Sequence, residues 1–478
     1  MSACGMPLPI CIRLLLPAMI DAAPPVDLDL IRRYNQPGPR YTSYPTAPHF
    51  TTGYTAADFT HDLEQADTDT PLSLYLHLPF CRSLCYYCGC HMKVTQRAAT
   101  IQRYVDALKQ EIDQVAARLP GARPVVQMHW GGGTPTYLTA AQIRDLGMHI
   151  RARFHVTDDA EISIEADPRG LTEARVAAAA AVGFNRISVG VQDVNPVVQA
   201  AINRIQPTET VAQAVAWARA YGFEGVNMDL VYGLPHQTAA RFQRTLDAVD
   251  RLDPDRIALY SYAHVPSIKK HQRVMDEDAL PAPEAKLRLF KQGLEHLTTQ
   301  SGYRFIGMDH FARPTDALSQ AQDTGDLHRN FQGYSTRADA EIVALGVSGI
   351  SQLRGAYAQN VKALPAYYER IASGTGPTVF RGVRLTPDDQ LRRHVIMQLM
   401  CNFHLNKNDV ATRFGIDADD VFADAWERLA PMEADGLVIC TDEAVHVQPP
   451  GRLLIRNVAR AFDAYWDHAD HPVHAQTV

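Results

Sequence analysis

Four cysteines that could act together on one metal centre stand within ten residues of the chain, at Cys81, Cys85, Cys88 and Cys90. Their spacing is C-x3-C-x2-C-x-C, and the other four of the chain's eight cysteines are scattered. The first three are spaced so that one short loop can bring three thiolates to a single 4Fe–4S cluster. Such a cluster ordinarily takes four cysteines, so three leave one iron open to a small molecule. The spacing therefore predicts a cluster that acts on a ligand.

A zinc site is the alternative use of closely spaced cysteines in an intracellular protein. Closed zinc sites usually take two separated C-x2-C pairs, or one such pair with histidines. The scattered cysteines of this chain offer no second pair; they are Cys4, Cys11, Cys401 and Cys440. We therefore favour the iron–sulfur interpretation over a zinc knot.

Short apolar runs alternate with amphipathic helical stretches from about residue 72 to residue 266. The apolar runs lie at 74–78, 125–130, 162–165, 186–191, 226–231 and 257–262. The helical patterns lie at 101–118, 140–154, 172–182, 209–221 and 239–252. This alternation predicts parallel strands joined by right-handed crossovers, and hence an α/β fold with a partial (β/α)6 TIM-like barrel.

Polar or glycine-rich segments follow these predicted strands. They include the cysteine loop, Gly131–Gly133, Glu165, Gln192 and Asp229. Because the C-terminal ends of barrel strands form the active-site face, we expect these residues to converge. The three glycines would let the backbone approach a ligand closely, although a tight strand-to-helix turn is the alternative explanation.

The composition excludes several classes of partner. The chain has 478 residues, enough for two or three domains, with 46% hydrophobic and 21% charged residues. A net charge of −7 gives no basic surface for nucleic acid, and no apolar run is long enough to span a membrane. Exposed cysteines of this kind need a reducing compartment. We expect a cytoplasmic protein, monomeric, with neither nucleic acid nor membrane as partner.

The pattern changes along the chain divide it into five regions. The C-terminal pattern of helices followed by a small hairpin is typical of a winged helix, but the charge favours a lid or docking domain over DNA binding. The regions are 1–23, a non-native or disordered leader with translation starting at Met19; 24–70, an N-terminal segment covering the substrate; 71–384, the barrel with strand extensions; 385–466, the small, mostly helical lid domain; and 467–478, a disordered tail.

The run from Tyr75 to Cys81, with the three cysteines that follow, resembles the radical S-adenosylmethionine superfamily. Within it, the chain is similar to the oxygen-independent coproporphyrinogen III oxidase family over nearly its whole length. The matching motifs lie at 34–47, 129–136, 305–314, 328–334 and 452–457. The resemblance implies a barrel of the radical SAM type, and a 4Fe–4S cluster on Cys81, Cys85 and Cys88.

The same resemblance implies the reaction. A 5′-deoxyadenosyl radical would start the oxidative decarboxylation of two propionates of coproporphyrinogen III to vinyl groups, giving protoporphyrinogen IX in haem biosynthesis. A reduced flavodoxin- or ferredoxin-type protein would supply the electron.

The resemblance also implies two S-adenosylmethionine molecules per site. Contacts of the cluster-bound molecule would be Tyr75, Gly132, Glu165 and Ile350. Contacts of the second would be Tyr87, Gly133, Thr134, Gln192, Arg204, Asp229 and Ala263. The family more often has Phe at the Tyr87 position, and Tyr keeps the ring. From the sequence alone, Glu165 and Asp229 could instead cap the helices that follow, Arg204 could be a surface charge, and Ile350 could belong to the core.

Further residues take their roles from the same resemblance. Tyr75, His77, Cys90 and Glu165 are the catalytic candidates, with Cys90 close to the cluster as a non-ligand. Related haem chaperones usually lack the C-x-C ending and the N-terminal motif at 39–45, so we favour the oxidase over that alternative. A tetracarboxylate substrate needs cationic partners, for which we name Arg40, Arg313 and Arg329. Phe331 and Gln332 are additional site candidates without an assigned role.

Overall fold

The computed structural model describes residues 24–374 and 376–466, so the predicted leader and tail lie outside the described residues. The chain forms two compact units, each built from non-contiguous segments. The sheet unit comprises residues 47–290 and 339–386. The second unit comprises residues 24–46, 291–338 and 387–466.

The strands are numbered along the chain. They are β1 (Leu72–Leu78), β2 (Phe80–Cys81), β3 (Lys93–Val94), β4 (Pro124–Gly132), β5 (His155–Ala166), β6 (Arg186–Gln192), β7 (Gly225–Tyr232), β8 (Arg256–Ser261), β9 (Arg304–Gly307), β10 (His310–Ala312), β11 (His328–Asn330), β12 (Gly333–Ser335), β13 (Glu341–Leu345), β14 (Ile350–Leu353), β15 (Ala356–Asn360), β16 (Val379–Arg384), β17 (His404–Asn406), β18 (Val438–Cys440) and β19 (Ala444–Val447).

The α-helices connect these strands and build the second unit. They are Leu28–Tyr34, Ala56–Glu64, Ala98–Ala116, Ala140–Arg153, Glu173–Ala181, Pro196–Ala201, Thr208–Ala220, Ala239–Leu252, Pro283–Glu295, Ala317–Thr324, Leu364–Ser373, Pro387–Asn402, Lys407–Phe414, Ala418–Val421, Ala423–Ala434, Pro449–Leu453 and Ile455–Arg460. Within the described ranges, none of the helices combines the length and the apolar character that crossing a bilayer requires.

The sheet unit is built on a curved run of parallel strands in the order β13-β1-β4-β5-β6-β7-β8. An antiparallel extension, β14-β15-β16, continues beyond β13. The six strands predicted from the apolar runs are all present and pair in parallel, so the predicted α/β fold is confirmed. Helices cross between successive parallel strands, as right-handed βαβ connections require.

Local sequence determines where the crossover helices begin and end. Thr139 and Gln142 form a capping box at the start of Ala140–Arg153, which satisfies backbone N–H groups that the first turn leaves open. Thr238 caps Ala239–Leu252, and that helix ends at Asp253 in the left-handed conformation, with φ +48°. These ends match the sequence prediction for both helices to within one residue.

Alternate residues of the parallel strands have opposite characters, because successive side chains point to opposite faces. On β1, Leu72, Leu74, Leu76 and Leu78 are at most 1% exposed. The residues between them are polar, and strand pairing aligns them with polar residues of β4 and β5. Tyr75 lies opposite His129, which lies opposite Ser163. The inner face of the parallel run is therefore polar.

The innermost of these polar rows closes the base of the parallel run. Ser73 Oγ lies 3.0 Å from Gln127 Oε1, and Gln127 donates to Glu161 Oε1 at 3.1 Å. Arg256 and Arg186 lie 3.3 Å and 3.6 Å from the second oxygen of Glu161. Their charges lower the pKa of Glu161 even though burial alone would raise it. This row is structural and leaves the opposite end of the strands for chemistry.

In the second unit, the N-terminal segment packs against the C-terminal helices. Tyr41 donates from its hydroxyl to Asp463 at 2.9 Å, and Arg456 Nε donates to the Pro39 carbonyl at 2.8 Å. The last strands form a three-stranded antiparallel sheet in the order β17-β19-β18. The predicted helices and hairpin of this region are present, whereas the three-residue strand β17 was not anticipated.

Candidate active site

The cysteine loop follows the C-terminal end of β1 and lies between the short strands β2 and β3. Its base is fixed by the pairing of β2 with β3, and Lys93 N donates to the Pro79 carbonyl at 2.6 Å. Asn203 donates from its side chain to the Leu84 carbonyl at 2.7 Å, and Tyr86 N donates to the Ile202 carbonyl at 3.0 Å. These hydrogen bonds hold the loop at its base and beside Leu84 and Tyr86.

Each thiol of the loop has a distinct polar neighbour. Cys81 Sγ lies 3.5 Å from Thr134 Oγ1, and burial raises the pKa of Cys81 to about 11. Arg169 and Arg204 donate to Cys85 Sγ at 3.3 Å and 3.5 Å. Two guanidinium groups therefore place positive charge beside the sulfur of Cys85.

Cys88 and Cys90 interact with each other. The hydrogen bond from Cys90 lowers the pKa of Cys88 to about 6, and the same bond raises the pKa of Cys90 well above its usual value. Cys90 N also donates to Cys88 Sγ at 3.4 Å. Within this pair, the hydrogen bond favours the thiolate on Cys88 and the thiol on Cys90.

The three predicted ligands lie close to one another in the loop. Burial raises the pKa of Cys81 most, and the charges of Cys88 and Cys85 raise it further. Among the described residues, no group of three His, Cys, Asp or Glu side chains is placed to hold one metal ion. Neighbouring cysteine thiols are the ligands that a 4Fe–4S cluster takes.

A polar row facing the loop contains three of the four catalytic candidates. The Tyr75 hydroxyl lies 3.0 Å from His77 Nδ1, and the Tyr75 ring stacks on His129 with centroids 5.9 Å apart. Glu165 accepts from Gly132 N at 3.1 Å and lies 3.3 Å from His129 Nε2. Burial raises the pKa of Glu165, but the hydrogen bond and charge of His129 and the Gly132 N–H outweigh it and lower the pKa.

The glycines after β4 are required by the chain's own packing as well as by any ligand. Gly132 has φ +121°, and a Cβ there would stand 2.8–3.0 Å from three ring atoms of His77. A Cβ on Gly133 would stand 2.7 Å from the Pro79 carbonyl. Both glycines therefore let β4 pass close against the start of the cysteine loop.

Gly132→Ala is expected to lower the free energy of unfolding by about 2–4 kcal/mol, because the new Cβ meets His77 and the backbone is left-handed. Urea unfolding of the reconstituted protein measures this. Gly170→Ala is the matched control, since a Cβ at Gly170 meets nothing within 4 Å. Equal stabilities of the two variants would contradict the packing argument.

A second polar set lies at the ends of β6 and β7. Gln192 adopts φ +66° at a bulge, 8% exposed. Arg204 donates to the Gly190 carbonyl at 2.7 Å and lies 3.3 Å from Asp167, but its buried Nε has no hydrogen-bond partner. Asp229 is held by Ser188 and Asn227 at 3.1 Å and 3.0 Å, and burial raises its pKa to about 6. A buried cation with an unused donor suits an anionic ligand group.

The remaining predicted cofactor contacts lie on the same end of the sheet unit. Thr134 is beside Cys81, and Tyr87 packs against the apolar cluster that contains Ile202 and Tyr262. Ala263 is exposed, and its carbonyl accepts from Gln272 at 3.2 Å. Ile350 is half-buried at the start of β14.

The sequence did not predict that three residues after β8 hold the cysteine loop through hydrogen bonds to its backbone carbonyls. Lys269, His271 and Gln272 contact the carbonyls of Cys90, Cys88 and Tyr87 at 3.1, 2.8 and 3.2 Å. These residues follow β8 in a segment without regular periodicity, so only the tertiary structure associates them with the loop. His129 and Ser163, whose side chains lie 2.5 Å apart, were also missed, although their alternation with apolar residues was a usable signal.

The three predicted substrate arginines lie in the second unit and differ in their surroundings. Arg40 pairs with Asp309, and Arg313 contacts the Ser301 carbonyl and stacks over Tyr303. Arg329 is 3% exposed, and its Nη1 has no hydrogen-bond partner.

Phe331 and Gln332 are half-buried in the turn between β11 and β12. Gln332 Nε2 is also buried without a partner. Arg329 and Gln332 therefore each have one buried donor atom without a hydrogen-bond partner.

Comparison with known proteins gives the class of this chain. The family model of the radical SAM superfamily matches residues 75–249, and that of the HemN C-terminal domain matches residues 385–454. The oxygen-independent coproporphyrinogen III oxidases of Salmonella typhimurium and Escherichia coli are each 46% identical over 439 residues, 92% of this chain and 95% of theirs. That of a Synechocystis strain is 44% identical over 91% of this chain and 94% of its own.

A solved structure described as coproporphyrinogen III oxidase (HemN) from Escherichia coli, a radical SAM enzyme, aligns with a TM-score of 0.89. The two are 45% identical, with 93% of this chain and 100% of that chain covered. The fold, the three-cysteine loop and these matches define a radical SAM enzyme, with a 4Fe–4S cluster and S-adenosylmethionine as its cofactors. Within that superfamily, the chain belongs to the oxygen-independent coproporphyrinogen III oxidase family of haem biosynthesis.

Proposed function

We propose that this chain converts two propionate side chains of coproporphyrinogen III to vinyl groups and so produces protoporphyrinogen IX. Each propionate loses one hydrogen atom, one CO2 and one electron in this conversion. The observation that carries the proposal is the placement of the three-thiol loop beside the polar ends of the neighbouring parallel strands, in a chain of this oxidase family. That arrangement suits radical chemistry on a carboxylated substrate.

The cluster would be held by Cys81, Cys85 and Cys88. When bound, the cluster and S-adenosylmethionine supply the one-electron chemistry that produces a carbon radical for hydrogen abstraction. The N–H groups of Arg169 and Arg204 point to the sulfur of Cys85, where they would stabilise negative charge on the ligand.

Two S-adenosylmethionine molecules are proposed per site. Tyr75, Gly132, Glu165 and Ile350 would contact the first. Tyr87, Gly133, Thr134, Gln192, Arg204, Asp229 and Ala263 would contact the second. The support is chemical: Glu165 and Asp229 are carboxylates that suit an ammonium group, and the unused Nε of Arg204 suits a carboxylate. Tyr75, His77, Cys90 and Glu165 are the proposed catalytic residues.

The electron donor, the cellular compartment and the oligomeric state are also part of the proposal. A reduced flavodoxin- or ferredoxin-type protein would supply the electron, because the cluster must be reduced from outside. A reducing cytoplasm would preserve the thiols. We propose that the enzyme acts there as a monomer.

Anaerobic reconstitution with iron and sulfide, followed by incubation with coproporphyrinogen III, S-adenosylmethionine and a reductant, tests the function. Two CO2 and one divinyl product per substrate are expected. A loaded cluster that cleaves S-adenosylmethionine without forming vinyl product would indicate a haem chaperone instead. Zinc without iron at the cysteine loop would contradict both functions.

Arg329→Gln is expected to raise the KM for coproporphyrinogen III about tenfold, because a charged hydrogen bond to a carboxylate is worth about 1.5–3 kcal/mol. Steady-state assays on the reconstituted enzyme measure it. Arg329→Lys keeps the charge and should recover part of the affinity. An unchanged KM in Arg329→Gln, Arg40→Ala and Arg313→Ala together would exclude these arginines as carboxylate partners.

A further inference from the structure

Three cationic residues of the sheet unit are linked, directly or through one another, to the part of the cysteine loop that contains Cys90 and His91. Lys269 Nζ donates to the Cys90 carbonyl at 3.1 Å. The Lys362 carbonyl accepts from His91 Nε2 at 2.9 Å, which fixes Lys362 beside the residue that follows Cys90. Arg381 is the third cation, and its charge acts on Lys362. None of the three has a role in the function proposed above.

Strand pairing places Arg381 on the same sheet face as a proposed cofactor contact. Ile350 on β14 lies opposite Gln359 on β15, and Gln359 lies opposite Arg381 on β16. Residues directly opposite across paired strands point to the same face. Arg381 is therefore two strands, about 10 Å, from Ile350. Arg381 Nε donates to Gln359 Oε1 at 2.8 Å, which orients the Arg381 guanidinium along the line of paired residues Ile350, Gln359 and Arg381.

The charges of these residues are not neutralised by carboxylates. Among residues 24–374 and 376–466, no carboxylate lies within 4.0 Å of the charged groups of Lys269, Lys362 or Arg381. The pKa of Lys362 is lowered by burial first, and then by the charges of Arg381 and Lys269. Burial also lowers the pKa of Arg381. Concentrated positive charge of this kind attracts an anion, which would relieve the mutual repulsion.

We propose that Lys269, Lys362 and Arg381 form a binding site for the propionate carboxylates of the substrate. This inference rests on the proposed function, since it takes its ligand from the tetracarboxylate coproporphyrinogen III. A guanidinium fork can hold a carboxylate through two parallel hydrogen bonds, and the two ammonium groups add point charges. The site holds at least one carboxylate next to Cys90, at the exposed end of the loop that carries the cluster ligands.

Binding of coproporphyrin III, the fluorescent oxidised form of the substrate, tests the site without depending on turnover. Cluster-loaded enzyme with S-adenosylmethionine is titrated anaerobically. Lys362→Gln and Arg381→Gln are each expected to raise the Kd about 5- to 20-fold, and the double variant about 50-fold or more. Lys270→Gln is the matched control, because Lys270 is an exposed neighbour of Lys269 outside the cluster of cations, and its Kd should stay within about twofold of the wild type.

Binding of a neutral ligand distinguishes recognition of the carboxylate charge from recognition of the shape of the porphyrin. Coproporphyrin III tetramethyl ester should bind the wild type and both variants with equal affinity, because it has no carboxylates. Arg381→Lys should lie between the wild type and Arg381→Gln. Iron content and the free energy of unfolding should match the wild type in every variant, since Lys362 and Arg381 do not contact the cysteine ligands through their side chains.

The outcomes distinguish this site from the proposed function. Variants that bind coproporphyrin III as the wild type does, in an enzyme that makes vinyl product, overturn the site and leave the function standing. Weakened binding in an enzyme that makes no vinyl product supports the site and overturns the function. Variants that only slow reduction of the cluster by a reduced flavodoxin would assign the cations to donor docking and overturn the carboxylate site.

Discussion

Cys85→Ser is expected to abolish oxidase activity, with a loss of at least about 1000-fold, because it removes one of the three proposed protein ligands of the cluster. Bound iron should fall from about four per chain to less than one, and S-adenosylmethionine cleavage should disappear with it. Cys85 is the thiol that Arg169 and Arg204 both contact, so its loss also leaves two guanidinium donors without their sulfur acceptor. Iron analysis, absorption spectra and anaerobic product assays measure these changes.

Two other cysteines provide the controls. Cys440→Ser alters a half-buried thiol in β18 and should leave iron content and activity unchanged. Cys90→Ser should retain the cluster iron and lose the oxidase activity, because Cys90 is assigned beside the cluster as a non-ligand. Loss of iron in Cys90→Ser to the same extent as in Cys85→Ser would contradict that assignment.

Glu165→Gln is expected to weaken binding of one of the two proposed S-adenosylmethionine molecules about 10- to 100-fold while the cluster stays loaded. The amide keeps the shape and can still accept from Gly132 N, but it loses the negative charge that suits the ligand's ammonium group. Equilibrium dialysis of labelled S-adenosylmethionine with the reconstituted enzyme measures both affinity and stoichiometry. Two tight sites are expected in the wild type and one in the variant.

The pH dependence provides a second measurement on Glu165. The net effect of His129 and Gly132 is to lower the pKa of this carboxylate, so its charge is fully present above the usual range for Glu and is lost only as pH falls through the lowered value. From about pH 6 to 8, Glu165 should therefore contribute no pH dependence to affinity. Glu224→Gln, an exposed carboxylate substitution, should behave as the wild type. Equal affinity of Glu165→Gln and the wild type for both molecules would refute the role.

The parallel strands and their crossover helices could be predicted because their signals are local. A short apolar run reads as a buried strand, and helices such as Ala239–Leu252 carry their own caps. Strand β17 was missed because a three-residue strand has no period to detect, and it exists only through pairing with β19. Strand extensions were predicted within 71–384, but the bounds of β14–β16 were not, since pairing between neighbouring strands defines them.

The site could be predicted from the sequence only where its residues are close together in the sequence. Four cysteines within ten residues predict metal binding without knowledge of the fold. The partnership of Glu165 with His129 depends instead on the register of β4 against β5, which the intervening helix and the packing around it determine. The sequence also could not show which predicted substrate arginines already have a partner within the protein. Arg40, for example, forms an ion pair with the buried Asp309.

By itself, the sequence determined the kind of reaction centre: three closely spaced thiols, and strand ends that carry polar groups. These follow from spacing within single segments, which does not change on folding. Only the tertiary structure decided which side chains lie beside these segments, including His129 beside Glu165 and Lys269 at the carbonyl of Cys90. The physical reason is that such contacts join segments distant in sequence, and their distances are fixed by strand register and helix packing.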